Sequence, residues 1–294
     1  MPERSLQHSS LYSYIDYALI DENNCEGIHS TLSEKAMKIS DGPSINIKKI
    51  YNSKILYIHP NAFDIWTDIL LELTQRKPLL LKLIIICGSD YSIGDEHMEA
   101  LVAFLPQTEF WIQNWCGNSQ RCSLLPIGVN GQPQEATPKS FPLGISFFLT
   151  YIGNQKREEL YSFLSSHPEL NPYRIPSTSF NNYCKHLSQC YFSLCGMGEG
   201  FDTYRFWESL MMGAIPIVKD HPFFENLLYY YPSIPMIRLN EWDDLLTLLP
   251  TLTQEKYDSL MKSANVEVIT ERYWIHKLEH LNSNHYSIIN GTSS

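Results

Sequence analysis

The amino-acid sequence predicts an α/β protein built in two units, and three observations carry that prediction. From Lys54 onward short β-rich runs alternate with longer amphipathic ones; the stretch 130–144, "NGQPQEATPKSFPLG", interrupts them; and the alternation restarts at Ile145. Strands alternating with helices indicate parallel βαβ units, and a polar break rich in Pro and Gly is where a linker belongs. With 294 residues, 44% of them hydrophobic, the chain is long enough for two cores. The expected division is an N-terminal α/β unit over 1–140, a C-terminal α/β unit over 141–283 and a polar tail over 284–294.

Taken in order, "KILYIHP" reads as a strand, "FDIWTDILLELTQR" as a helix, "LLKLIIICG" as a buried strand, "GDEHMEALVAFL" as a helix and "EFWIQNW" as a strand. "SLLPIGV" is a further strand leading into the linker. Beyond it, "ISFFLTYIGN" is a strand ending in a Gly-Asn turn, "QKREELYSFLSSH" a helix opening near Gln155, "FNNYCKHLSQ" a helix and "CYFSLCG" a strand. "GAIPIV" and "SIPMIRL" are strands either side of the helix "HPFFENLLYYY", and "EWDDLLTLL" and "TQEKYDSLMKSANVEVITERYWIHKLEHL" are helical. No internal repeat exceeds this doubled layout.

Composition narrows the class of partner. A net charge of −10 argues against nucleic acid, whose phosphates need a basic surface. Only 18% of residues are charged while 13% are aromatic, the composition of a compact chain. The seven cysteines are scattered with no CxxC pair, and several lie in apolar runs such as "IIICGSD", so free thiols in a reducing compartment are expected. The N-terminal "MPERSLQHSSLYSYIDY" lacks a signal-peptide pattern, and "LLLKLIIIC" is far shorter than the roughly 20 residues of a membrane helix. The expectation is a cytoplasmic protein without an integral membrane segment.

The segment that carries chemistry is "CYFSLCGMGEGFDTYRFWESLMMG". A strand delivers the chain into Gly196, Gly198 and Gly200, and a helix opens at Asp202 or Thr203, with Asp202 a suitable N-cap and Gly213 at its end. Glycines let a backbone approach a ligand closely, and a helix N-terminus offers unpaired N–H groups and about half a positive charge. Asp202, Arg205 and Glu208 share one helix face, with Phe206, Trp207, Leu210 and Met211 on the buried side. An arginine in the first turn opposes the helix dipole unless an anion is held there. The plain alternative is a tight turn followed by a surface ion pair. No Gly-Lys-Ser/Thr follows, which excludes a Walker loop, and Phe201 stands where a dinucleotide fingerprint has its third glycine, although Asp220 is suitably placed for ribose. That near miss leaves a nucleotide-dependent oxidoreductase as one alternative function, and a non-catalytic nucleotide- or glycan-binding module as another.

The segment "FSLCGMGEGFDTYRFWESLMMGAIPIV" resembles the hallmark of exostosin-type glycosyltransferases: apolar strand, Gly-rich turn, Thr/Ser-x-Arg-x-x-Glu helix start and "GxIPIV" strand in that order. "IIICGSDYSI", "WIQNWCGNSQRCSLLPIGVN" and "FLTYIGNQKRE" extend the resemblance upstream. It implies a GT-B architecture, two Rossmann-like domains with parallel sheets facing across a cleft, the N-terminal one (1–140) on the acceptor side and the C-terminal one (141–283) on the donor side. The implied reaction is inverting transfer from a nucleotide-sugar donor to a saccharide, lipid-linked or protein-bound acceptor. The donor set carried onto this chain is Asn154 and Arg157 of the "IGN…R" start, Gly198, Glu199 and Gly200 of the turn, and Asp202, Thr203, Arg205 and Glu208 at the helix start, with Arg157 on the diphosphate and Glu208 on ribose. Relatives often have an arginine where Met197 stands, and Glu199 adds a carboxylate. No Asp-x-Asp occurs, so neither metal nor cofactor is expected. Two residues are candidates for the base. Asp90 ends an N-terminal-unit strand, where open α/β sheets meet ligands, and His97 follows it; the alternatives are a turn cap and an exposed helix face. The aromatic residues of "EFWIQNW" suit either stacking on an acceptor sugar or the core.

Overall fold

The structure is a computed structural model that describes residues 4–21, 30–44, 46–131, 137–146 and 157–283. The described chain divides into two compact units, one of residues 6–125 with 271–283, the other of residues 126–270 with 4 and 5. Each is an α/β unit around its own parallel sheet, the class the sequence predicts.

The first unit runs β1 (Tyr17–Ile20), α1 (Ser30–Glu34), β2 (Ala36–Lys38), α2 (Ile47–Asn52), β3 (Ile55–Ile58), α3 (Phe63–Arg76), β4 (Leu83–Ile86), α4 (Asp95–Phe104), β5 (Glu109–Ile112) and β6 (Cys122–Leu124). The strand order is β2-β1-β3-β4-β5-β6, with every pairing parallel. All four residues of β4 are buried, as a central parallel strand covered on both faces requires. Helix α3 buries Phe63, Trp66, Leu70 and Leu73 at helical spacing, and the Trp66 indole N–H donates to the Ile20 carbonyl at 3.1 Å. Two of these strands, β1 and β2, precede Lys54, where the sequence pattern first becomes legible.

The second unit comprises β7 (Phe141–Ser146), α5 (Glu158–Ser166), β8 (Arg174–Ile175), α6 (Phe180–Ser188), β9 (Cys190–Leu194), α7 (Tyr204–Met211), β10 (Ile215–Lys219), α8 (Pro222–Tyr230), β11 (Ile237–Leu239), α9 (Asp244–Leu248) and α10 (Gln254–Met261). Its sheet order is β11-β10-β9-β7-β8. Register aligns Leu143 with Phe192 and Phe192 with Ile215, then Ile145 with Leu194 and Leu194 with Ile217. All six belong to one buried cluster. The opposite face is packed by Ile175, Tyr183, Cys184 and Leu187. Pro216 is tolerated inside β10 because pairing with β11 begins only at Ile217.

Two segment readings change. The strand β7 starts at Phe141, inside the stretch whose composition reads as linker; Gly144 is there because a Cβ would stand 2.8 Å from the Cys190 Sγ across the β7–β9 pair. The strand expected over "SLLPIGV" stops at Leu124, with Pro126 unable to donate to a ladder. Helix α11 (Glu271–Ser283) groups with the first unit: Trp274 is fully buried, edge-on to Trp111 at 4.8 Å. No helix among the described residues is long and apolar enough to cross a membrane. The described cysteines Cys87, Cys116, Cys122, Cys184, Cys190 and Cys195 are free thiols.

Candidate functional site

In open α/β sheets ligands bind outside the carboxyl ends of the strands, where the strand order reverses. In the second sheet that reversal falls between β7 and β9. The chain leaving β9 is the glycine turn. The Cys195 N–H still donates to Ile217 at 2.8 Å, and the turn closes through Gly198 N–H to the Gly200 carbonyl at 3.1 Å. Helix α7 then starts at Tyr204 behind Thr203, which has extended backbone and makes no side-chain cap.

Asp202 is therefore not the cap that the sequence suggests. It is 2% exposed, and its carboxylate accepts from the Ile127 N–H at 2.7 Å and from the Trp207 indole N–H at 2.5 Å. Buried donors that have no water to turn to outcompete the helix end for the carboxylate. Gly213 does end the helix as expected. With φ at +72°, it donates to Leu210 at 3.0 Å while Ala214 donates to Ser209 at 2.8 Å, a Schellman closure.

Around the turn the structure gathers charge. Arg157 immediately precedes α5, and its Nε donates to the Met197 carbonyl at 2.8 Å. Its Nη2 lies 3.6 Å from where a Cβ on Gly198 would stand, and the Thr203 methyl lies 3.5 Å from that point. Burial, then the neighbouring positive charge of Arg205, pull the Arg157 guanidinium below its ordinary value, and Glu199 acts against them. Arg157, Arg205, Glu199, Gly198, Gly200 and Thr203 thus form one neighbourhood. Glu199 is exposed, Arg205 half-buried and Thr203 buried. Asn154 lies outside the described residues.

Glu208 differs from its sequence-based placement on a polar face. Helix α7 is buried from Phe206 through Leu210, because α6 packs against it and the segment around Asn130 covers it. Glu208 is 4% exposed and accepts from the Asn130 N–H at 3.4 Å. Burial raises its carboxyl pKa, with the Asn130 N–H and Arg205 opposing. The Tyr183 phenol of α6 is pushed up by burial and then by the Glu208 charge. Beside the turn, Phe201 stacks on His221 with ring centroids 3.3 Å apart. A cavity of about 10 Å³ between Met197, Thr203, Phe224 and Trp242 has room for a single water.

The first sheet reverses between β1 and β3, and its carboxyl edge is also polar. Asp21 follows β1, His59 follows β3 and Gln113 and Asn114 follow β5; all four are buried. Gln113 Oε1 accepts from the Gly88 N–H at 3.0 Å. His59 Nδ1 accepts from Asn61 at 3.3 Å, and burial lowers its pKa with the Gly88 backbone opposing. Asp90 is exposed in the loop four residues beyond β4 and not at the strand's end, where the sequence places it. His97 has both ring nitrogens engaged: Nδ1 accepts from the Gly94 N–H at 3.1 Å and Nε2 meets the Tyr91 hydroxyl at 3.2 Å. It thereby satisfies the backbone N–H of Gly94, the residue that precedes α4. Trp111 and Trp115 are core residues, at most 1% exposed. His59, Gln113 and Asn114 are missed by sequence reasoning; the signal for them is a polar residue immediately after an apolar strand, as in "YIHP" and "WIQN". Among the described residues no group of three His, Cys, Asp or Glu is arranged to hold a metal ion.

Residues 145–278 match the family model of the RXYLT1 C-terminal domain. The matched segment begins in β7, contains the whole glycine turn and α7, and ends within α11. No curated protein matches the chain.

Proposed function

We propose that the protein is a glycosyltransferase that moves a sugar from a nucleotide-sugar donor to a saccharide or glycoconjugate acceptor, by inversion and without a metal. The observation that carries this reading is the pairing of Arg157 with Arg205 beside the glycine turn, at the reversal of the second sheet. The two guanidinium groups repel each other and Glu199 offsets part of that repulsion; the two negative charges of a bound diphosphate would offset more of it. The match to the RXYLT1 C-terminal domain supports the same reading. That family carries the name of a xylosyltransferase, so pentose donors belong in any panel.

In the reaction, the arginines and the N–H groups of the turn and the α7 start stabilise the departing diphosphate as the oxocarbenium-like centre forms. The acceptor hydroxyl loses its proton to a base, which we assign to Asp90 on the carboxyl edge of the first sheet. His97 holds the α4 start and Tyr91 beside it. Asp202 acts by fixing Ile127 and Trp207, and Glu208 by holding Asn130, so both are positioning residues.

The test is release of nucleoside diphosphate from a panel of UDP-, GDP- and CDP-sugars, with and without acceptor saccharides, in the presence of EDTA. The reading requires release by the wild type, loss in Arg205→Ala, and loss of transfer with retained nucleotide binding in Asp90→Asn. Oxidation of NAD(P)H with no release from any nucleotide sugar would overturn it.

A further inference from the structure

Far along the sequence from the glycine turn, α11 carries "HKLEH", with His276 and His280 one turn apart on an exposed face. Their Nε2 atoms are 3.0 Å apart and the ring centroids 4.2 Å. The opposite side of the helix is anchored by Trp274 and Leu278, both fully buried, so the two imidazoles project from a fixed frame. Histidines at i and i+4 are the spacing with which a helix presents two nitrogens to one metal ion.

The geometry points to a surface chelate for a borderline divalent cation, Cu²⁺, Ni²⁺ or Zn²⁺. With metal–nitrogen bonds of about 2.0–2.1 Å, a nitrogen separation of 3.0 Å corresponds to an angle of about 90–97° at the ion. Those are neighbouring corners of a square-planar or octahedral shell, the preference of Cu²⁺ and Ni²⁺, whereas Zn²⁺ needs the rings to part by a few tenths of an ångström toward the tetrahedral angle. Imidazole suits these ions and not Mg²⁺ or Ca²⁺. Water fills the remaining positions, since no third described His, Cys, Asp or Glu completes the group. Without an ion, one ring N–H donates to the other ring's lone pair.

The surrounding charges are mixed. The Lys277 ammonium lies over the Tyr273 and Trp274 rings, 5.1 Å from each centroid. Glu279 is exposed beside the pair, while Arg272, one turn before His276, opposes a bound cation. The site is independent of the donor-phosphate reading, which needs no metal.

The experiment is calorimetric titration of the untagged full chain with CuCl₂, NiCl₂ and ZnCl₂, with MgCl₂ as control. The expected result is one equivalent of each transition ion, copper tightest, and no Mg²⁺ uptake. His276→Ala or His280→Ala should weaken binding at least about tenfold, a change of about 1.4 kcal/mol, and Arg272→Ala should tighten it. Both histidines are exposed on a helix and alanine is the best helix former, so circular dichroism should match the wild type. Absence of binding, or an affinity unchanged in the double His→Ala variant, would overturn the proposal.

Discussion

Replacing Asp202 separates a positioning role from a ligand contact. Its carboxylate accepts from the Ile127 N–H at 2.7 Å and the Trp207 indole N–H at 2.5 Å, and Trp207 is 0% exposed. Asp202→Ala strands both donors. A hydrogen bond to a charged acceptor contributes about 1.5–3 kcal/mol, so losing the two together costs about 3–6 kcal/mol. Asp202→Asn keeps one acceptor but turns an NH₂ toward the second donor, for about half that loss. Urea unfolding followed by tryptophan fluorescence should show the midpoint falling in the order wild type, Asn, Ala with the slope unchanged. If both variants unfold within about 0.5 kcal/mol of wild type and Asp202→Asn has lost nucleotide binding, Asp202 is a ligand contact and the positioning argument fails.

Other outcomes follow from the same geometry. Burial raises Glu208 in the folded state above its ordinary 4.5, so native stability is lost as pH rises from 4.5 through the folded value. Glu208→Gln should therefore be at least as stable as wild type at pH 7, with its advantage shrinking as pH falls toward 4.5; urea midpoints at several pH values check this. Gly213→Ala meets only ordinary contacts at 3.7–3.8 Å but must hold φ at +72°, so it should cost about 1–2 kcal/mol, read as a lowered thermal midpoint with nucleotide binding intact. Gly88→Ala adds to a φ of +101° a Cβ only 2.7 Å from the Tyr57 hydroxyl. It should lower the thermal midpoint more than Gly213→Ala does.

What the sequence made legible was whatever local periodicity reports. The helix read over "FDIWTDILLELTQR" matches α3 from Phe63 to Arg76, because its apolar spacing and flanking breakers all agree. The glycine turn between β9 and α7 was legible for the same reason. The strands β1 and β2 were not: only four and three residues long, they gain their definition from pairing with each other and β3. The inward turn of Asp202 and the burial of Glu208 also depend on residues 75 and 78 positions away, Ile127 and Asn130, which no local pattern contains. Gly144 shows the converse error, since composition alone marks it as linker while the neighbouring strand requires it.

The central claim is that Arg157 and Arg205 grip a nucleoside diphosphate. Thermal unfolding of the full chain with UDP, GDP, CDP or NADH in excess, for wild type, Arg157→Ala and Arg205→Ala, tests it most directly, because a ligand bound only by the folded state raises the midpoint. The account predicts that at least one nucleoside diphosphate stabilises the wild type, that both variants lose that stabilisation while melting near the wild-type temperature without ligand, and that NADH has no effect. Stabilisation by NADH alone, or nucleotide stabilisation that survives both substitutions, would contradict it.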